Sequence, residues 1–588
     1  MNDNFIWDLT KLFANDDAFY DEIENINQML QDIDKFKNQT FDSDILLKVL
    51  NLKWLIKEKA FNILVYASLN YYKDIKSDKT KLMKDVAEKL NTKIKSSLAF
   101  IDEKIIFLGE DVINDYLASN KNLEIYEYYL NNIFRLRNHL QNDLINSEIE
   151  GLTNEINQAL TKYNDLSESI DLGVITTQNE EVQLSLSNIN KYLSSRNRET
   201  RKQAYLQINT AYKKQRIAFA QILNSIYQKR VKISELEKYS SVSKKALFQS
   251  NIDPLLIDNL INGVHNNLEV MRNYLKLKAN ALQIDEPHLF DYGVPFDNGN
   301  KKHYPLNNVS DIILEALMPL GEEYLKVAKL LISNNHIDAV LDENKHQSII
   351  FSWETFSFIN YRDAYNDLKY LIHELGHIVK FYFSKQKQPF IYGDHDENSI
   401  FVGEVGSLVN ELLLNHNLYH NSQTNEEKLF YLSQNIESYF IQVFNRTMHT
   451  ELENILYHHV KNGVILTADL LDDEYMNLLK KYYGKDTIYD DCASSGWTRL
   501  GHLFRWSYYV YNYAIGLITA GNIIDKIEND ESVVIPRYLD FLAAGSNNYS
   551  LNLLMNLGID LTEEEIINNS FNVLKNDVEK FRKILEKK

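Results

Sequence analysis

The sequence predicts a mostly α-helical protein with one small β-sheet, and three observations indicate this fold class. The 588-residue chain holds only 19 glycines and 7 prolines, the residues that most often interrupt helices and form tight turns. Apolar residues recur at three- and four-residue spacing through most segments. One stretch, residues 348–361, is instead rich in β-branched and aromatic residues in partial alternation. Long helices are therefore expected, with this stretch forming the sheet.

The helices are predicted in chain order. Residues 16–279 form a succession of amphipathic helices, of which the clearest covers residues 251–282. There Asp253 is placed to cap the helix and Pro254 occupies its first turn, where proline is tolerated. After the predicted sheet, residues 363–383 carry apolar side chains at helical spacing and form the next helix.

Composition and charge exclude several classes of protein. Hydrophobic residues make up 44% of the chain and charged residues 25%, which is typical of a globular protein and excludes general disorder. The net charge of −19 disfavours binding to nucleic acid or to an anionic membrane surface. No run of about 18 apolar residues predicts a membrane span, and no secretion signal is expected at the N-terminus. The single cysteine, Cys492, favours a cytoplasmic location.

The predicted helix over residues 363–383 contains the pattern H-E-x-x-H. His373 and His377 are four residues apart, so they lie on one helical face and can bind one zinc ion. Glu374 follows the first histidine and is placed to act as a general base. The alternative interpretation is a pair of ordinary histidines on a helix. The motif nevertheless favours a zinc peptidase.

A catalytic zinc ion needs a third protein ligand. The metzincin pattern does not supply it, because that pattern needs glycine and histidine where the chain has Lys380 and Phe383. Two downstream glutamates compete. Glu397 lies in a predicted loop, whereas Glu404 lies on a predicted helix in line with Leu408 and therefore faces inward. Because a buried carboxylate needs a partner, Glu404 is predicted to be the third ligand.

Two further features accompany this group. Glu411 lies seven residues after Glu404 and can accept a hydrogen bond from a ligating histidine, or it can be a solvated helix residue. Residues 497–516 concentrate aromatic side chains beside His502. Such a segment suits an aromatic core helix, and in a zinc peptidase its phenol and imidazole groups can also stabilise an oxyanion.

The ordered series of motifs resembles oligoendopeptidase F, a branch of the thimet-oligopeptidase-like zinc metallopeptidases. The resemblance covers nearly the whole chain. Its markers are Trp7-Asp8-Leu9, residues 196–205, residues 290–295, Asn360-Tyr361, the H-E-L-G-H motif at 373–377, Gln388-Pro389, residues 401–407, Asn410-Glu411, His502 and residues 509–513.

The resemblance implies a two-lobed helical body around a deep central channel. It also implies a division into an N-terminal helical region, residues 1–195, and a zinc metallopeptidase catalytic region, residues 196–588. One zinc ion per chain would be held by His373, His377 and Glu404, with Glu374 as the base. The partners implied are short oligopeptide substrates, and neither nucleic acid nor a membrane is expected.

The oxyanion of the reaction would be held, by the same resemblance, by His502 together with a tyrosine from the aromatic segment. Tyr509 and Tyr511 are the favoured tyrosines, and Tyr508 is a third alternative.

The function predicted from the sequence is zinc-dependent hydrolysis of internal bonds in short unstructured peptides, with Glu374 taking a proton from a metal-activated water. One alternative is a metallocarboxypeptidase on a similar helical scaffold, which would release residues from the C-terminus of its substrate. The other is a non-catalytic relative that binds peptides.

Overall fold

The computed structural model describes residues 5–587, except residues 179, 249, 297–301, 348, 394–399 and 530–531. The described residues are predominantly helical, as predicted, and they contain two small sheets. None of the described helices combines the length and apolar character that are needed to cross a membrane.

The first part of the chain forms a hydrophobic core of its own. Asn15 and Asp42 cap the first two helices, because their side chains accept hydrogen bonds from the amides of Ala18 and Ile45. The apolar faces of these helices meet in one cluster that runs from Phe19 to Phe134. The helices are α1 (Asp16–Asp34), α2 (Ser43–Lys73), α3 (Asp78–Leu108), α4 (Glu110–Ser119) and α5 (Glu127–Leu136).

A second, larger core takes in Phe5 and side chains from Ile156 to Phe581. The elements that precede the helix with the H-E-x-x-H motif are α6 (Asp143–Ser169), the hairpin of β1 (Val174–Thr176) and β2 (Glu181–Gln183), α7 (Ile189–Leu193), α8 (Arg198–Lys214), α9 (Arg216–Leu236), α10 (Val242–Phe248), α11 (Leu255–Asn266), α12 (Leu268–Ala281), α13 (Val309–Ala316), α14 (Gly321–Ser333), β3 (Ile337–Asp338), β4 (Phe351–Trp353) and β5 (Phe356–Phe358).

The remaining elements of this second core begin with the helix that carries the H-E-x-x-H motif. They are α15 (Tyr365–Lys387), α16 (Ile400–His420), α17 (Asn425–Tyr439), a π-helical turn (Phe440–Asn445), α18 (Arg446–Lys461), α19 (Ala468–Tyr483), α20 (Gly501–Arg505), α21 (Tyr511–Glu528), α22 (Val534–Ala543), α23 (Ser550–Leu557) and α24 (Glu564–Leu585).

One predicted helix is divided in two. The structure has α11 and α12 where a single helix over residues 251–282 was expected, with Asn267 between them. The buried side chain of Asn267 donates to the carbonyl of Gly263 at 2.8 Å and to the side chain of Asn568 at 3.0 Å. Such local bonding competes with helix continuation. The carboxylate of Asp253 accepts from the amide of Leu255, but the helix begins at Leu255 with Pro254 at the N-cap position, one residue later than predicted.

The predicted sheet is confirmed, with one additional strand. Strands β4 and β5 pair antiparallel, and the two-residue strand β3 pairs parallel with β5, so β4 is an edge strand. Phe356 and Phe358 on β5 pack against Trp7, Val65 and Leu69. The sheet therefore joins the N-terminal core to the helix that carries the H-E-x-x-H motif.

The body is two-lobed, as the resemblance implied. Helices α2 and α15 also meet directly, because the rings of Phe61 and Phe381 are stacked with centroids 6.5 Å apart. A cavity of about 690 Å³ lies between the lobes, lined by residues of α2, α3, Trp353 and Phe390. The two cores divide between Phe134 and Ile156. The boundary at residue 195, between the N-terminal helical region and the catalytic region, stays a prediction.

Helices α15 and α16 approach each other closely at Gly376. A β-carbon added there would lie 2.6 Å from the α-carbon of Ser407 and 2.7 Å from its amide nitrogen. Both are backbone atoms of α16, so no side-chain rotation relieves the contact. The absence of a side chain at Gly376 thus allows α16 to bring Glu404 near the histidines of α15.

Gly376→Ala is therefore expected to destabilise the protein, by roughly 1–3 kcal/mol for an overpacked contact. Thermal and denaturant unfolding measure this change. The matched control is Gly151→Ala in α6, where an added β-carbon has no atom within 4 Å. Replacing a helical glycine by alanine in such open space stabilises by about 0.5–1 kcal/mol. Equal stability of the two variants would contradict the close approach.

Candidate active site

Three predicted ligands converge at the junction of α15 and α16. The Nε2 atoms of His373 and His377 lie 3.2 Å apart. The Oε2 atom of Glu404 lies 3.5 Å from the first and 3.9 Å from the second. The three side chains are half-buried and form the one group of this kind within the described part of the chain. Glu397, the competing carboxylate, lies outside the described residues.

These separations fit one metal ion. Ligand atoms about 2.0–2.2 Å from a tetrahedral zinc ion lie about 3.3–3.6 Å from one another. The measured distances between the two imidazole nitrogens and the carboxylate oxygen, 3.2, 3.5 and 3.9 Å, span this range. Two histidines with one glutamate are also a common ligand set of zinc peptidases. The group is therefore able to hold a metal ion with one position open.

Glu411 supports the first ligand, as the helical phase indicated. Its Oε1 atom accepts a hydrogen bond of 2.6 Å from Nδ1 of His373, and its Oε2 atom lies 2.9 Å from the ammonium of Lys369. Burial alone would raise the pKa of Glu411, but Lys369 and His373 hold that pKa at about 2. The ionised carboxylate therefore fixes the proton of His373 on Nδ1 and directs Nε2 towards the metal position.

The same contact affects the ligand itself. Burial would lower the pKa of His373, whereas the hydrogen bond and charge of Glu411 raise the pKa to about 9. Burial lowers the pKa of His377, which has no such partner among the described residues. Metal binding at Nε2 of His373 thus has to displace a proton.

Glu411→Gln is expected to weaken metal affinity by roughly 10- to 100-fold, the usual effect of losing a group that orients a ligand. Glutamine keeps the shape of the side chain but removes the charge that holds the proton on Nδ1. Competition with a chromophoric chelator measures the affinity. The control is Glu437→Gln, because Glu437 also accepts hydrogen bonds from a lysine and a tyrosine, Lys278 and Tyr274. Equal affinities of the two variants would contradict the role of Glu411.

Glu374 lies between the metal ligands and the sheet. Its side chain is 7% exposed, and its Oε2 atom accepts a hydrogen bond of 2.5 Å from the hydroxyl of Ser352 on the edge strand β4. The same hydroxyl is 3.1 Å from the main-chain carbonyl of Glu374. Ser352 was not predicted from the sequence, because a serine within a predicted strand carries no sign of its partner.

The structure separates the candidate tyrosines. Tyr511 is 4% exposed within the larger hydrophobic core, and burial raises its pKa. Tyr508 is also buried, and its hydroxyl donates to Asn454 at 2.7 Å. Tyr509 is half-buried, with its hydroxyl 3.5 Å from that of Tyr513.

Tyr513 lies on α21, which packs against α16, the helix that carries Glu404. Burial is the main cause of its raised pKa, followed by the hydrogen bond and charge of Tyr509 and then by the charge of Glu404. Tyr509 and Tyr513 thus form a pair of phenol groups whose electrostatics include the charge of Glu404, whereas Tyr511 lies within the hydrophobic core. Tyr509 precedes α21, which begins at Tyr511, so helical spacing does not predict this pair, and the contact is visible only in the structure.

His502 lies beside a second histidine. Its Nε2 atom is buried without a hydrogen-bond partner among the described residues, and its ring centroid is 5.0 Å from that of His449. Burial, and then the charge of Arg446, lowers the pKa of His502 to about 4, so the ring is neutral at pH 7. None of its described contacts is to the three predicted metal ligands.

Comparison with proteins of known sequence supports the resemblance. The model of peptidase family M3 matches residues 191–573. Oligopeptidase PepF of Bacillus subtilis is 28% identical over 594 residues, which cover 99% of this chain and 87% of that protein. An oligoendopeptidase F homolog of Borreliella burgdorferi is 26% identical over 598 residues, covering 100% of this chain and 99% of its own length.

Solved structures share the fold. A crystal structure of a protein from Chlamydophila abortus superposes with a TM-score of 0.93 at 27% identity, covering 99% of this chain and 98% of that one. Oligoendopeptidase-F of Enterococcus faecium gives 0.73 at 23% identity, with 97% of this chain and 100% of that one covered. The matched residues 191–573 include the H-E-x-x-H motif, Glu404 and His502 and make up more than half of the chain. The chain therefore belongs to peptidase family M3.

Proposed function

We propose that this peptidase is a zinc-dependent oligoendopeptidase, which cleaves internal bonds of short unstructured peptides. The observation that carries the proposal is the convergence of His373, His377 and Glu404, with Glu374 beside them. Each of the four was selected from the sequence for this role. A cytoplasmic site of action is part of the proposal, since Cys492 is a buried free thiol.

His373, His377 and Glu404 would hold the zinc ion, which supplies Lewis-acid polarisation of the scissile carbonyl and lowers the pKa of a water molecule. Glu374 ligates nothing in this arrangement. Its carboxylate accepts the proton of the attacking water and later delivers that proton to the leaving amine. The hydrogen bond from Ser352 fixes one carboxylate oxygen, so that the orientation of the base is set by the sheet.

The oxyanion formed in the attack needs hydrogen-bond donors. Tyr509 and His502 fill this role in the proposal, and Tyr513, whose hydroxyl is 3.5 Å from that of Tyr509, adds a third donor. One such donor typically contributes about 100- to 1000-fold in rate. Tyr511 is left out of the proposed donor set, because its ring lies within the hydrophobic core.

The substrate is proposed to bind along the edge strand β4. An edge strand presents main-chain groups that an extended peptide can pair with. Ser352, in the middle of β4, touches the base, so a peptide on this edge would pass directly beside Glu374. Only an unfolded segment has a free main chain to offer there, which is the reason to propose short unstructured peptides as substrates.

The test is hydrolysis of internally quenched peptides of graded length, with a small folded protein as control and mass spectrometry to identify the products. Cleavage of internal bonds in short peptides, lost on chelation and restored by zinc, is the expected result. Release of residues from the C-terminus alone would indicate the metallocarboxypeptidase. Zinc binding without any cleavage would indicate a non-catalytic peptide-binding protein.

A further inference from the structure

Arg446 is a cation without a described anionic partner next to the active site. It is the first residue of α18 and directly follows the π-helical turn Phe440–Asn445. Its side chain is half-buried, and its Nε atom is buried without a hydrogen-bond partner among the described residues. Short π-helical turns inside longer helices are frequent at functional sites.

Two other arginines, the buried Arg201 and the half-buried Arg230, have partners. Arg201 lies 2.8 Å from a carboxylate oxygen of Asp291 and also donates to main-chain carbonyls. Arg230 donates to the carbonyls of Leu503 and Phe504. Burial lowers the pKa of Arg446, and the one described group that opposes this effect is Tyr513. A cation that is taken partly out of water needs a partner, so this half-buried arginine without a described anionic partner is a candidate for ligand binding.

The surroundings of Arg446 point towards the metal centre on one side. The centre of its guanidinium lies 5.7 Å from the ring centroid of Tyr513. Tyr513 lies on α21, which packs against the helix that carries Glu404, and its hydroxyl is 3.5 Å from that of Tyr509. Arg446 and the proposed oxyanion donors therefore share one wall of the site.

Two histidines lie beside Arg446: His449, three residues further along α18, and His502, whose ring centroid is 5.0 Å from that of His449. Nδ1 of His449 and Nε2 of His502 are both buried without a hydrogen-bond partner among the described residues. Burial and the charge of Arg446 lower the pKa of both rings, so both are neutral at pH 7. They add uncharged hydrogen-bonding groups beside a single positive charge.

We propose that Arg446 binds a carboxylate of the peptide substrate, with His449 beside it in the same subsite. A guanidinium offers two parallel donors that match a carboxylate, and this pairing is stronger than a hydrogen bond between neutral groups. The carboxylate has two sources, the C-terminus of the peptide and an acidic side chain within it. The inference rests on the proposed function, because the ligand is the substrate of that site.

The test uses two matched pairs of internally quenched peptides. One pair differs in carrying a free C-terminal acid or an amide, and the other in an internal glutamate or glutamine. For the pair that contains the recognised carboxylate, the native enzyme is expected to lose roughly 10- to 100-fold in kcat/KM when the charge is removed, mainly through a higher KM. Arg446→Gln should lose the same factor on the acidic peptide and no longer distinguish the pair.

Two further variants make the result specific. Arg446→Lys keeps the positive charge but lacks the two parallel donors of a guanidinium, so it is expected to show intermediate discrimination between the peptides of a pair. Arg582→Gln removes an exposed arginine of α24 and should leave the discrimination unchanged. Circular dichroism shows whether Arg446→Gln folds. If it does not, the discrimination between the matched peptides by Arg446→Lys and by the native enzyme still tests the proposal. The proposal is overturned if the native enzyme treats both pairs alike, or if Arg446→Gln still discriminates.

A binding measurement separates this inference from the proposed function. Calorimetry with the full-length Glu374→Gln protein in the presence of zinc reports peptide affinity without cleavage. The unlabelled pentapeptide Ala-Ala-Phe-Ala-Ala as acid and amide, and the amide with an internal glutamate, are the probes. A carboxylate preference that disappears in the Glu374→Gln, Arg446→Gln double variant supports the subsite even if no peptide is ever hydrolysed. Equal affinities of all three peptides would refute it.

Discussion

Glu374→Gln is expected to reduce kcat by roughly 100- to 10,000-fold, the contribution of a positioned general base. Glutamine has nearly the shape of glutamate and still accepts the hydrogen bond of Ser352, but it cannot take a proton from water. The metal content is expected to stay that of the native protein, because Glu374 is none of the three grouped ligands. Initial rates on a quenched peptide and elemental analysis measure the two quantities.

The control for this substitution is Ser352→Ala, which removes the partner of Glu374 and leaves the base itself. The loss of one ordinary hydrogen bond, about 1 kcal/mol, corresponds to a rate reduction of roughly fivefold. A small effect of Ser352→Ala beside a large effect of Glu374→Gln supports the assignment of the base. Near-native turnover by Glu374→Gln would show that another group is the base, and loss of metal would show that Glu374 is a ligand.

The metal ligands could be predicted because their arrangement depends mainly on local geometry. His373 and His377 share a face wherever four residues of helix separate them, and the structure places their nitrogens 3.2 Å apart. Glu404 was selected by helical phase, since an inward-facing carboxylate needs a partner. The phase of α16 does not say which helix it packs against. That information comes from the close approach at Gly376, which only the folded chain shows.

Residues whose role depends on long-range packing were missed. Ser352 lies on strand β4, which precedes helix α15 and its H-E-x-x-H motif in the chain. Nothing in the sequence around Ser352 indicates its hydrogen bond to Glu374. Arg446 lies far along the chain from the H-E-x-x-H motif. In a sequence with 63 lysines and arginines, a half-buried cation cannot be told from a solvated one. Which groups contact Arg446, and which of its atoms have no described partner, is visible only in the structure.

The helix division at Asn267 has a similar origin. The apolar spacing over residues 251–282 is continuous, so periodicity alone predicts one helix. The amide of Asn267 is shared between Gly263 in its own helix and Asn568 in α24, a contact across some three hundred residues. Local pattern sets which residues are helical, and distant packing decides where a helix bends or ends.

Glu404→Ala is expected to have the largest effect on metal binding. Loss of a group that merely orients a ligand costs about 10- to 100-fold in affinity, so loss of a ligand should weaken binding by more than about 100-fold. The carboxylate contributes one of three donor atoms and the negative charge among them, and no other described acidic side chain belongs to the group. Peptidase activity should disappear at zinc concentrations that saturate the native protein.

Thermal unfolding distinguishes the loss of a ligand from misfolding. A metal that binds only the folded state stabilises by RT ln(1 + [L]/Kd), about 2.7 kcal/mol at a concentration 100 times Kd. Zinc should therefore raise the Tm of the native protein and of Glu374→Gln, but not that of Glu404→Ala at the same concentration. Without zinc, the three proteins should unfold at similar temperatures, because Glu404 is half-buried and an alanine there leaves no unpaired charge. If Glu404→Ala is strongly destabilised without zinc, the main role of Glu404 is to stabilise the fold. If zinc raises the Tm of Glu404→Ala as much as that of the native protein, Glu404 is not a ligand.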